Sequence, residues 1–173
     1  MQFVYLKDQP SAIETVAQWY FDQWGHLAAA ETLAGVRANL ERYLNRDRIP
    51  LVILAVADHE VVGAAQLKFR EMAIYPEKEH WLGGVFVAPH HRGRGVGSAL
   101  AGRIAEIARS LQVKTLHLQT ECLDGGLYAR LGWEPRERVT SKGRDVLVME
   151  KDLGASRAQA ADTGETERQR DRS

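Results

Sequence analysis

Residues 85–98 read Val-Phe-Val-Ala-Pro-His-His-Arg-Gly-Arg-Gly-Val-Gly-Ser. A β-branched and aromatic stretch runs into a glycine-rich turn, which opens a helical pattern. Gly93, Gly95 and Gly97 allow backbone angles that other residues avoid and let a ligand come close to the main chain. The free N–H groups at the start of the following helix, together with its dipole, bind phosphate oxygens. His90, His91, Arg92 and Arg94 add local positive charge. These residue types in this order suit a pyrophosphate.

Three phosphate loops compete for the segment. A P-loop requires Gly-x4-Gly-Lys-Ser/Thr. Here Ser98 follows Gly97 with no lysine between, and no magnesium-binding aspartate ends the next strand. A dinucleotide fingerprint requires Gly-x-Gly-x-x-Gly near the start of a βαβ unit. Gly93 and Gly95 supply the first two glycines, but Ser98 holds the third position and the loop comes late, after a hairpin. The third pattern, Arg/Gln-x-x-Gly-x-Gly/Ala, is met in full by Arg92 to Gly97. A metal at His90-His91 finds no support: adjacent side chains diverge, and spacing places no third ligand.

The elements that must position this loop are legible in outline. Phe3 to Leu6 suits a first strand. Ser11 and Glu14 form a capping box. Ile13, Val16, Ala17, Tyr20 and Trp24 then recur at helical spacing. A second helix puts Leu33, Val36, Leu40, Tyr43 and Leu44 on one face. Leu51 to Ala57 has buried-strand composition, Asp58-His59 suits a turn, and Glu60 to Phe69 returns as a hairpin. Trp81 to Ala88 is the strand before the loop, and Ser98 to Leu111 the helix after it. Thr115 to Thr120 is a strand, Asp124 to Leu131 a short helix, and Trp133 to Thr140 and Arg144 to Lys151 two last strands. The order predicts an α/β (α+β) fold with a mixed sheet of about seven strands and about four helices.

The chain has 173 residues, 23 Lys+Arg and 23 Asp+Glu, so its formal net charge is zero. That balance argues against a dedicated nucleic-acid binder. The longest apolar run, Leu51 to Ala57, is far shorter than the ~20 residues of a membrane span. The first residues do not read as a signal peptide, and a cytoplasmic protein is expected. The single cysteine, Cys122, permits no intrachain disulfide and reads as a small buried apolar residue. Residues 154–173 have no apolar residues but alanine. They are expected to form a disordered polar tail after a domain spanning 1–153.

A second motif, Tyr128-Ala129-Arg130-Leu131-Gly132-Trp133, lies downstream of the glycine loop. With both motifs in this order, the chain resembles the GNAT superfamily of acyl-CoA-dependent N-acetyltransferases over roughly residues 1–152. The resemblance implies a mostly antiparallel twisted sheet and acetyl-CoA as acyl donor. It implies that main-chain groups of Val85, Phe86 and Val87 on a bulged strand pair with the pantetheine arm. The pyrophosphate would lie on the N–H groups of Arg92, Gly93, Arg94, Gly95, Val96, Gly97 and Ser98. The fourth and fifth strands would splay around the thioester, with Thr120 and Glu121 bordering the acceptor.

Tyr128 matches the family's proton donor to the departing thiol. A base must take a proton from the amine, and His80, Glu71 and Glu121 are alternatives. Cys122 and Gly125 stand where the family usually has asparagine and alanine. Trp19, Tyr20, Phe21 and Trp24 read mainly as helix core, and Gly25 to Glu31 as an acceptor-side loop. The implied activity is direct transfer of acetyl to a primary amine of a small molecule or peptide, in a ternary complex without metal. The alternative is a non-catalytic acyl-CoA-binding module on the same fold. Homodimers are common in such proteins, but the sequence shows no pairing surface.

Overall fold

The computed structural model describes residues 1–154, so the expected tail lies, Gly154 apart, outside the described residues. Among the described residues, seven strands and four helices follow in the order β1 (Gln2–Tyr5), α1 (Ile13–Trp24), α2 (Leu33–Glu41), β2 (Leu51–Ala57), β3 (Glu60–Phe69), β4 (His80–Val87), α3 (Val96–Ser110), β5 (Thr115–Thr120), α4 (Gly126–Arg130), β6 (Glu134–Ser141) and β7 (Arg144–Asp152). The strands form one sheet in the order β1-β2-β3-β4-β5-β7-β6. Every neighbouring pair is antiparallel except β4 and β5.

The unbroken apolar run of β2 follows from burial on both faces. Leu51, Ile53 and Ala55 pack in the core beneath α3, together with Leu100, Ile104 and Ala108. Val52 and Leu54 point the other way, into a core with Val16, Ala17 and Tyr20 of α1 and Leu40 of α2. That second helical layer does not reach the far strands. A small third core, Met72, Trp81, Val146 and Val148 with Tyr75, is closed there by the β3–β4 connection. The turn at Asp58-His59 takes positive φ at both residues, 49° and 66°, as tight hairpin turns require.

Three local expectations are corrected. The capping box does not form: α1 starts after a 3₁₀ turn at Pro10–Ala12, and its N-cap Ala12 makes no side-chain cap bond. Glu14 instead pairs with Arg37 of α2. The cap lies on α2, where Thr32 Oγ1 accepts from the Gly35 N–H at 3.0 Å. That helix ends at Glu41, so Tyr43 and Leu44 fall in the turn beyond it, and Leu33 is exposed. Cys122 is also exposed, because it lies in the loop after β5 rather than in the core.

Candidate active site

The strand before the glycine loop is bent by design. On β4, Ala64 faces Phe86 but Gln66 faces Gly83, so an extra residue is inserted at Gly84-Val85. Gly84 has φ +54°, which only glycine adopts without strain. A Cβ there would lie 2.7 Å from the Tyr20 hydroxyl. At Gly83 a Cβ would meet Glu71 Oε1 at 2.9 Å. Both glycines are therefore needed for side chains to close around the bulge.

Beyond it the strand loses its neighbour. β4 and β5 are in register only at Trp81 and His117, whose rings, 5.5 Å apart, pin the closed end. From there the strands part. The Ala88 N–H bonds to Val62 O at 2.9 Å, so Phe86 and Ala88 point their main-chain groups at β3. By alternation, Val85 and Val87 point theirs into the gap. Arg92 Nε donates to the Val87 carbonyl at 2.9 Å, and its guanidinium lies over the Phe86 ring.

The glycine loop is open where a ligand would lie. Gly93 and Gly95 have φ +74° and +79°, and nothing lies within 4 Å of where a Cβ would stand on either. Gly95 caps α3, and Ala99 N–H is the residue that bonds back to its carbonyl, at 3.0 Å. The N–H groups of Val96, Gly97 and Ser98 thus have no helical acceptor. Gly97 packs toward Leu127 of α4 and Val87 of β4, which brings the two motifs side by side. An open cradle of N–H donors beside Arg94, leading into a splayed strand edge, fits a pyrophosphate with an extended amide-bearing arm.

The titratable groups separate clearly. Glu71 lies at the gap beside Gly83, its side chain 17% exposed, with Lys68 Nζ at 3.8 Å. Burial raises its pKa; Lys68, a hydrogen bond with Gln119 of β5 and Lys142 act against that. Tyr128 stands on α4, edge-on to Trp133. Burial, then the charge of Glu71, pushes its phenol up to about 12. Those two residues are brought together. His80 is not: it sits at the closed end of the β4–β5 pair, packed against Phe69. Glu121 borders the opening but is exposed and ion-paired to Arg144 at 2.5 Å.

Two of the early aromatics pack on β4: Trp19 stacks on Phe86 at 5.0 Å, with Trp24 edge-on at 6.5 Å. Sequence reasoning missed what the Tyr20 hydroxyl does. It donates to the Gly84 carbonyl at 2.7 Å, tying α1 to the bulge. The adjacent Gly83-Gly84 pair in an otherwise bulky strand was the signal for that bulge. Among the described residues no group of three His, Cys, Asp or Glu side chains is placed to hold a metal ion. No helix among them is long and apolar enough to cross a membrane.

The fold agrees with that of known proteins this chain resembles. The Acetyltransferase (GNAT) family profile matches residues 12–133, and the chain belongs to that family. A coenzyme A complex of an aminoglycoside 6'-N-acetyltransferase superposes with TM-score 0.70 at 14% identity, covering 90% of this chain and 99% of that one. A Salmonella typhimurium protein with its cofactor acetyl-CoA gives 0.67 at 19%, covering 93% and 98%. A ribosomal-protein-alanine N-acetyltransferase from Brucella melitensis gives 0.68 at 24%, covering 88% and 99%. At these identities the likeness is one of fold. No curated protein matches the chain.

Proposed function

We propose that this acetyltransferase moves an acetyl group from acetyl-CoA to a primary amine by direct attack in a ternary complex. The observation that carries the reading is the convergence of Glu71 and Tyr128 on the gap that opens beyond Trp81 and His117. When bound, acetyl-CoA supplies an activated acyl carbon and a thiol leaving group. Val85 would hold the pantetheine arm through its outward main-chain groups and Val87 through its N–H, the Val87 carbonyl already accepting from Arg92. Arg92 to Ser98 would hold the pyrophosphate on main-chain N–H groups, with Arg94 beside it.

Glu71 takes the proton that an ammonium acceptor must lose before its nitrogen attacks, directly or through one water. A carboxylate made more basic by burial suits that work better than an ordinary one. Tyr128 donates a hydrogen bond to the sulfur as the carbon–sulfur bond breaks. A phenol near 12 stays protonated at neutral pH. Full transfer to a thiolate of pKa ~8.5 would be uphill by about 5 kcal/mol, so the hydroxyl stabilises the thiolate chiefly as a hydrogen-bond donor. Glu121 with Arg144 borders the acceptor side and acts by charge. The acceptor is a small molecule or a peptide amine.

The test is release of free thiol from acetyl-CoA across a panel of amines and peptide N-termini. Turnover that depends on Glu71 and Tyr128 supports the reading. Tight acetyl-CoA binding without turnover on any amine would instead favour a binding module.

A further inference from the structure

We propose that Tyr20 is a positioning residue for acyl transfer, aiming the Val85 N–H at the acyl carbonyl by holding the Gly84 carbonyl from the opposite side. This rests on the reading of β4 as the strand that carries the acyl donor.

Gly84 leaves the ladder with φ +54°, so its carbonyl is not taken up by β3. A partly buried carbonyl left without a partner still costs stability. Tyr20, buried on α1, meets that need with a 2.7 Å hydrogen bond across 64 residues of chain. A trans peptide points its C=O and the next N–H in opposite directions. Fixing the Gly84 oxygen toward α1 therefore fixes the Val85 N–H away from α1, on the α4 side of the sheet where Tyr128 stands. That N–H is the donor placed to meet negative charge on a carbonyl oxygen as an amine attacks, and fixed donors at such a point accelerate acyl transfer. A hydroxyl donating to the oxygen of the same peptide also polarises its N–H.

The surroundings fit a rigid mount. Tyr20 packs on Trp24 at 5.4 Å, and Trp19 and Trp24 both pack on Phe86, two residues after Gly84. The hydroxyl cannot serve as a proton donor to substrate, because its hydrogen is engaged by Gly84 and burial holds its pKa far above the usual phenol range. Its effect on the reaction passes through one peptide plane.

The test compares wild type with Tyr20→Phe, which removes one oxygen and keeps the ring. Acetyl-CoA labelled at the carbonyl carbon is bound to each, and the infrared carbonyl stretch is recorded with kcat, amine KM and coenzyme A affinity. The stretch should be lowered in wild type and return toward the free value in Tyr20→Phe. kcat should fall about tenfold, less than the 10²–10³-fold seen when such a donor is itself removed. Amine KM and the affinity for coenzyme A, which lacks the carbonyl, should stay within about twofold.

Should Tyr20→Phe fold poorly, 3-fluorotyrosine placed at position 20 keeps the hydroxyl as a stronger donor and should lower the stretch further. An unchanged stretch and an unchanged kcat in Tyr20→Phe, or an unchanged stretch with fluorotyrosine, overturn the assignment while leaving the functional reading intact. A wild type that binds no acetyl-CoA overturns both.

Discussion

At the scale of single residues the proposed chemistry rests on Glu71 and Tyr128, and each has a separable signature. Glu71→Gln should lower kcat by about 10²–10³-fold, within the range for losing a general base. The acidic limb of the wild-type kcat profile should lie above the usual carboxylate range, because burial raises this pKa, and the substitution should abolish that limb. The same shift has a sign for stability. The folded protein binds the Glu71 proton more tightly than the unfolded chain, so ionisation destabilises it as pH rises from the ordinary carboxylate range through the raised value. Thermal melts should therefore show Glu71→Gln above wild type at neutral pH, with the difference closing on acidification. Tyr128→Phe should reduce kcat by about 10- to 100-fold and leave acetyl-CoA affinity unchanged, which stopped-flow and calorimetry would resolve. The sequence offered Glu71, His80 and Glu121 as equal bases. Spacing could not choose among them, since what sets Glu71 apart is a loop folding back over Gly83, which has no Cβ. Tyr20 stayed hidden for a similar reason: its partner is a backbone oxygen far along the chain.

Elements rather than side chains decide how open the site is. β4 is bulged at Gly84 and then loses β5, and both features depend on glycine and on a single point of parallel register. Gly84→Ala forces a Cβ to 2.7 Å from the Tyr20 hydroxyl at φ +54°. It should cost about 1–3 kcal/mol of stability and weaken the cofactor site as well. Gly95→Ala faces open space, so its cost should be only the left-handed penalty of about 1–2 kcal/mol. Denaturant titration of the two variants would test that ranking. Element type and order were readable because α1 and α3 have strong helical periodicity and β2 is an unbroken apolar run. The capping box was not, because Ser11 is held in a proline-led turn and Glu14 is drawn to Arg37 on another helix.

For the whole molecule, two layers of unequal reach cover one sheet. α3 and α4 close one face, while α1 and α2 stop near β4 and leave the β3–β4 connection to cover the rest. The proposed site lies where these coverings meet the splayed strands, which would let the proposed amine and acyl donor approach from different sides. We also propose that the domain ends with Leu153, which is buried and whose N–H bonds to Lys114 O at 2.8 Å. A chain stopped after Gly154 should melt within about 2 °C of the full chain, and one stopped after Asp152 should melt clearly lower. The central claim is that this fold holds acetyl-CoA on its glycine loop. Calorimetry of acetyl-CoA with wild type and Gly95→Glu tests it most directly, since the substitution puts a negative side chain into the open cradle. The account predicts micromolar-range binding by wild type and none by a variant that circular dichroism shows to be folded. No binding by wild type, or equal binding by both, would contradict it.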